Sequence, residues 1–211
     1  MNDDDLKAVS IGFDGDLETV MSAYRAGLFP MGLGDDGGPP MGWWGPILRG
    51  VLLPGDLRVS RSLRRSMRGF TATLDQSFAD VVAACADPSR EGAWITARFS
   101  QLYEELHDAG WAHSIEVWDA SGDLAGGLFG ISFGAVFIGE SMFHHRTDAS
   151  KAALVHLVDL LDSRCGDAWM LDVQWSTPHL ESLGVSEMTG LEYLNRLHHA
   201  GSVCGSEVFY R

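Results

Sequence analysis

One carboxylate constrains this chain more than any other residue. The short apolar run Ala135-Val136-Phe137-Ile138 leads into Gly139-Glu140-Ser141-Met142-Phe143. A run this short, β-branched and aromatic reads as a buried strand. Glu140 therefore stands at the end of an interior strand, where an ionised carboxylate is costly unless it has a partner or a task. Any fold for the chain must supply one or the other.

The segments around this strand can be read from their periodicity. Residues 16–27 are amphipathic and helical, with Leu17, Val20, Met21 and Tyr24 on one face and Gly27 as the stop. A Gly/Asp/Pro loop over 32–42 ends in Trp43-Trp44-Gly45-Pro46, an extended stretch that sends its two indoles to opposite sides. These first residues read as a small α+β unit, 1–52, ahead of a larger domain, 53–211. In the larger part, 70–74 is a strand, and Asp75 and Thr96 stand where caps of two helices belong. Strands follow at 113–118, 124–131 and 135–143, and Asp148 opens the next helix. The stretch 169–174 reads as a strand, Thr177-Pro178 starts a short helix, 189–199 is a last helix, and the tail is strand-like. The order is an antiparallel meander, a crossover helix and a parallel strand. It matches the α+β, acetyltransferase-like (Gcn5-related) fold, a mixed sheet with flanking helices.

Composition excludes several function classes. The chain has 211 residues, and no apolar run approaches the roughly 18 residues of a membrane span. Its acidic start lacks the pattern of a signal peptide. Cys85, Cys165 and Cys204 are odd in number and far apart, which points to free thiols and a cytoplasmic setting. The net charge of −14 argues against broad nucleic-acid affinity, yet it is unevenly spread. Arg58, Arg61, Arg64, Arg65 and Arg68 put +5 in one window, leaving −19 for the rest of a chain whose total is −14. The spacing 61, 64, 65, 68 is that of one helical face. It reads either as a solvated surface or as an anion site.

Candidate chemistry sits in five sets of residues. Gly130-Ile131-Ser132-Phe133-Gly134 has the letters of a nucleophile elbow, but a strand follows where the elbow needs a helix, so it is a hairpin turn. The eight histidines show no ligand spacing, so no metal is expected. At the start of the crossover helix, Ala149 and Lys151 occupy the positions where an acetyltransferase has the glycines that admit a coenzyme A pyrophosphate. Asp172 and Gln174, two apart on one strand, are either a satisfied buried pair or a pair that handles protons and orients an amine. Glu140 on the neighbouring strand would converge with them. Leu128, Phe137, Met142 and Trp94 are core residues, or the wall of an apolar pocket. Met142, on the same side as Glu140, is the better pocket candidate than Phe143.

Ten stretches, in order, carry a resemblance. They include Ala23-Tyr24-Arg25-Ala26-Gly27-Leu28-Phe29-Pro30, Trp43-Trp44-Gly45-Pro46, Trp94-Ile95-Thr96, His113 to Trp118, Gly126 to Gly130, Gly139 to Phe143, Asp172-Val173-Gln174 and His179 to Gly184. With them the chain resembles the leucyl/phenylalanyl-tRNA–protein transferases from about residue 16 to 197. The resemblance implies a cytoplasmic aminoacyltransferase that moves Leu or Phe, and in some cases Met, from aminoacyl-tRNA to proteins with N-terminal Arg or Lys, marking them for degradation. It implies no cofactor, no metal and no membrane. It places catalysis on Asp172 and Gln174, with Glu140 receiving a cationic group. It puts the amino-acid pocket at Leu128, Phe137 and Met142 with the nearby aromatics Trp94, Trp43 and Trp44. It implies that the tRNA lies along Arg58, Arg61, Arg64, Arg65 and Arg68. Two other readings compete: a coenzyme A-dependent acyltransferase of the same fold, and a non-catalytic protein that binds tRNA or N-termini. If the Arg face carries tRNA, reversing Arg64 and Arg65 to Glu raises the KM for aminoacyl-tRNA and flattens its dependence on salt, measured as initial rates across ionic strength.

Overall fold

The computed structural model describes residues 3–10, 17–34, 37–90, 93–203 and 208–209. Two sheets organise them. The smaller contains β1 (Leu6–Ser10), β2 (Phe29–Gly32) and β3 (Met41–Trp44) in the order β1-β3-β2, all antiparallel, beside α1 (Leu17–Arg25). The larger holds β4 (Leu48–Leu52), β5 (Thr71–Leu74), β6 (Ala112–Trp118), β7 (Leu124–Phe133), β8 (Val136–His144), β9 (Met170–Asp172) and β10 (Ser186–Thr189). Its order is β10-β4-β9-β8-β7-β6-β5. Only β8 and β9 run parallel, joined through the long crossover helix α5 (Ala149–Cys165). The expected α+β mixed sheet with flanking helices is what forms.

The glycine pair on β7 shows how the layers are stacked. Successive strand residues face opposite sides. A Cβ on Gly126 would come 2.7 Å from the Ala149 Cβ of α5, and a Cβ on Gly127 would come 3.2 Å from Val81 of α3 (Phe78–Cys85). So α5 covers one face, and α3 with α4 (Ala97–Asp108) covers the other. Gly126 is small because the start of α5 lies directly on the sheet. The short helices α2 (Arg61–Ser66) and α6 (Pro178–Ser182) and the closing helix α7 (Gly190–Ser202) complete the order.

Several local expectations change. Residues 48–52, grouped above with the N-terminal unit, are strand β4 of the large sheet. β10, at its edge, had no counterpart in the sequence reading. Asp75 does not cap α3; Ser77 holds the cap position, and Asp75 accepts from the Ser114 amide at 2.8 Å and contacts His113 Nδ1 at 2.7 Å. Asp148 precedes α5 but makes no side-chain cap; its carboxylate takes Lys151 and Ser66 instead. Thr96 and Thr177 cap α4 and α6 as expected. Cys85 is a buried free thiol, while Cys204 and most of the strand-like tail lie outside the described residues.

Two features of β8 create an opening. Phe129 pairs with Ser141 and Gly130 with Gly139, so Glu140 is the extra residue of a β-bulge, which bends the strand and re-aims its side chain. The parallel register with β9 covers only Val136↔Met170, Phe137↔Leu171 and Ile138↔Asp172. Past Ile138 the two strands part. Gly126→Ala presses a methyl group onto Ala149 and is expected to cost about 1–3 kcal/mol in urea unfolding.

Candidate active site

A cavity of about 160 Å³ occupies the gap where β8 and β9 separate. Leu128, Phe137 and Met142 line it, joined by Leu154 and Leu157 of α5 and by Leu171 of β9. Its polar margin holds Glu140 and Gln174. The structure thus brings five of the residues singled out in the sequence to one place. Phe143 is not among them: it is buried on the other side of β8.

The Asp172–Gln174 pair is arranged differently from two side chains on one strand face. β9 ends at Asp172, and Gln174 lies in a turn beyond it at φ 61°, a region that disfavours residues with a Cβ. The Asp172 carboxylate is fully buried and saturated. Arg49 donates to it twice, from Nε to Oδ1 at 2.8 Å and from Nη2 to Oδ2 at 2.6 Å. The Tyr193 hydroxyl donates to Oδ2 at 2.7 Å, and the Gln174 backbone N–H donates to Oδ1 at 2.8 Å. Asp172 therefore holds the main chain of Gln174, not its side chain. The Gln174 carbonyl accepts from the Gly50 amide at 2.9 Å, so both backbone groups of this residue are fixed. Its side-chain amide is buried with its nitrogen unpaired, facing the cavity. Burial is the largest single influence on Arg49 and works against its charge, but Asp172, Tyr193 and Glu140 together outweigh it and raise the guanidinium above its ordinary value.

Glu140 is the second buried carboxylate. Its Oε2 accepts from Tyr103 of α4 at 2.7 Å, and its Oε1 has no hydrogen-bond partner. Burial lifts its pKa to about 7. The hydroxyls of Tyr103 and Tyr24 pull it back, the negative charge of Asp172 raises it, and Arg49 lowers it. The Tyr24 hydroxyl itself makes no formed hydrogen bond. The costly carboxylate of the sequence thus has half a partner and one free oxygen.

The three tryptophans stand back from the cavity. Trp94 meets Phe99 and Tyr103 edge-on at 5.0 and 6.4 Å, behind the tyrosine that holds Glu140. Trp44 is buried and lies edge-on to Trp175, the residue after Gln174, at 6.4 Å. Trp43 is half-buried on the small sheet and donates to Ser10 at 3.2 Å. The five arginines are all exposed, and among the described residues no ion pair engages any of them. They do not share one regular helical face, because α2 ends at Ser66 and Arg68 sits on a 3-10 turn. Ser66 at the end of α2 donates to Asp148 at 2.9 Å, which places this cluster beside the start of α5. Among the described residues, no three His, Cys, Asp or Glu side chains gather in a way that could hold a metal ion. No helix among them is long and apolar enough to cross a membrane.

Sequence reasoning missed the roles of Arg49, Tyr193, Tyr24 and Tyr103. Only Arg49 carried a signal, as a lone cation in an otherwise apolar strand.

Comparison with known proteins decides the family. Residues 51–198 match the model of the leucyl/phenylalanyl-tRNA protein transferases, and 14–47 match the model of that family's N-terminal domain. The chain belongs to this family. A leucyl/phenylalanyl-tRNA–protein transferase of Aromatoleum aromaticum is 50% identical over 173 residues, which cover 80% of this chain and 70% of that one. The relative in Syntrophobacter fumaroxidans is 43% identical over 194 residues, covering 90% and 80%. Likeness to solved structures is shallow: a GCN5-related N-acetyltransferase from Kribbella flavida has a TM-score of 0.39 and 15% identity over 68% of this chain and 55% of that one. Membership makes the chain an aminoacyltransferase; the family works on a charged tRNA and an acceptor protein.

Glu140 gives a pH signature. Its folded pKa of about 7 lies above the ordinary 4.5, so the stability it contributes is present below 4.5 and lost as pH rises through 7. Glu140→Gln should flatten the urea-unfolding stability across that window, where the wild type loses about 3 kcal/mol from this group.

Proposed function

We propose that the chain transfers Leu, Phe or Met from aminoacyl-tRNA to the α-amine of proteins that begin with Arg or Lys. The observation that carries this reading is the make-up of the cavity: eight apolar side chains line it, and two unpaired polar atoms, on Gln174 and Glu140, stand at its margin. An apolar aminoacyl side chain fits the interior by ordinary burial. Its ester then lies near the unpaired amide of Gln174.

The chemistry asked of the protein is modest, because an ester is already activated. The acceptor α-amine attacks the ester carbonyl, and the C–O bond to the terminal ribose breaks. The amine's proton passes to the departing 3′ oxygen. Gln174 orients the amine or the developing oxyanion, a contribution of positioning and preorganised hydrogen bonding. The free oxygen of Glu140 receives a cationic group of the acceptor. The five exposed arginines, lying beside the start of α5, take the phosphates of the acceptor stem. Trp94, against Tyr103, and Trp44, against Trp175, support the site from behind.

A coenzyme A donor suits the geometry less. Ala149 is buried against the sheet, and Lys151 is tied to Asp148 at 2.8 Å, so the start of α5 offers side chains where a pyrophosphate needs bare amides. In this reading the small unit ends near residue 47, the larger domain begins with β4, and the enzyme works in the cytoplasm, marking proteins for degradation.

The test mixes the protein with charged tRNA(Leu) and a peptide starting with Arg, and follows the peptide by mass. Addition of one Leu is expected, with Gln174→Ala slowing it about tenfold to a hundredfold. Acylation from acetyl-coenzyme A with none from the tRNA would refute the proposal.

A further inference from the structure

The Gln174 turn is braced from behind by residues that do not line the cavity. Gln174 holds a left-handed conformation that costs a residue with a side chain roughly 1–3 kcal/mol, and such a conformation persists only where its surroundings over-determine it. Its N–H is held by Asp172, and Asp172 is held by Arg49 and Tyr193. Arg49 is itself packed between two rings, with its guanidinium carbon 4.9 Å from the Phe29 centroid and 4.6 Å from that of Tyr193. Its remaining nitrogen, Nη1, donates to the Gly27 carbonyl at 3.3 Å. Gly27 reaches this spot because it lacks a side chain. Its φ is 81°, and a Cβ would come 2.9 Å from Leu194 and 3.0 Å from Tyr193.

From this geometry we propose that Arg49 and Tyr193 are positioning residues for the transfer reaction. They lock the Asp172 carboxylate so that it pins the Gln174 backbone and keeps the Gln174 amide turned into the cavity. Three parts of the chain meet in the lock: β4 supplies Arg49, α7 supplies Tyr193, and the N-terminal unit supplies Gly27 and Phe29. Asp172 then serves the reaction through the main chain of its neighbour; with Arg49, Tyr193 and the Gln174 amide occupying it, it has no free valence for a substrate proton. The small unit has a catalytic purpose under this proposal, since it closes the cage around Arg49. The inference rests on the proposed function for its kinetic arm only.

The experiment is a double-mutant cycle on the full chain with charged tRNA(Leu) and an Arg-starting peptide. Arg49→Lys keeps the charge but loses the forked contact; Tyr193→Phe removes a single hydroxyl and leaves the packing. Each is measured alone and in a Gln174→Ala background. Alone, each lowers kcat, by about tenfold for Tyr193→Phe and more for Arg49→Lys, and leaves the KM for aminoacyl-tRNA unchanged. With Gln174 absent, neither lowers kcat further, because the lock no longer has an amide to aim. Equal losses in both backgrounds, or a Gln174→Ala protein of full activity, would overturn the proposal. If Arg49→Lys fails to fold, Tyr193→Phe decides alone. A second readout does not depend on turnover: amide hydrogen exchange at Gln174 accelerates in both single variants while the β7 amides stay protected. Unchanged protection at Gln174 refutes the lock, whereas absence of Leu transfer by the unsubstituted protein refutes the proposed function and leaves this readout to decide the lock.

Discussion

The buried ion pair between Arg49 and Asp172 is the interaction on which the rest of the site depends. Two charges almost wholly out of water are costly, and the cost is offset only by close geometry and further hydrogen bonds to both partners. Here both carboxylate oxygens accept twice, and the guanidinium reaches three acceptor atoms. Removing either partner would strand the other. The pair therefore holds β4 against β9 through side chains as well as through the strand register Val51↔Asp172. It is a means of fixing geometry more than a source of stability.

The second constraint is the bulge at Glu140. One additional residue in β8 bends the strand just past the point where β9 ends at Asp172, and the bent strand forms one wall of a cleft. The same bulge delivers Glu140 to the Tyr103 hydroxyl while leaving its other oxygen uncommitted. A carboxylate half-satisfied in this way is poised near neutrality, and the cleft and its unusual acid have one structural cause.

Much of this was legible in the chain. The apolar run before Glu140, the strand over 113–118 and the cap at Thr96 follow local rules, and the structure agrees with them. The meeting of Leu128, Phe137, Met142, Glu140 and Gln174 was expected from strand order, but parity is not its cause: the bulge at Glu140 lets Phe137 and Met142 line one cavity, and Gln174 reaches it from a turn beyond β9. What was not legible depends on contacts distant in sequence. Asp172 meets Arg49 across 123 positions, and nothing local to either shows it. Asp75 and Asp148 look like helix caps by position, but stronger partners across the fold take their carboxylates. Strand β10 is short, and its pairing with β4 is tertiary. The turn at Gln174 was hidden because a glutamine gives no warning of a left-handed backbone.

The three-pair seam between β8 and β9 has a further consequence. Beyond it the sheet lacks an interior, and the wall left behind is made of the same leucines and aromatics that fill the core elsewhere. Under the proposed function, the aminoacyl side chain of the tRNA becomes a borrowed core residue, completing the packing that the parted strands leave open. Selection would then obey the rules that govern core substitutions. A methylene more or less is worth only about 1–3 kcal/mol, so apolar side chains of similar bulk are told apart weakly. A charged or strongly polar one is turned away as an unpaired group in a hydrophobic interior would be. The range of amino acids that such an enzyme accepts is thus a property of its folding physics, written into the place where its own sheet stops.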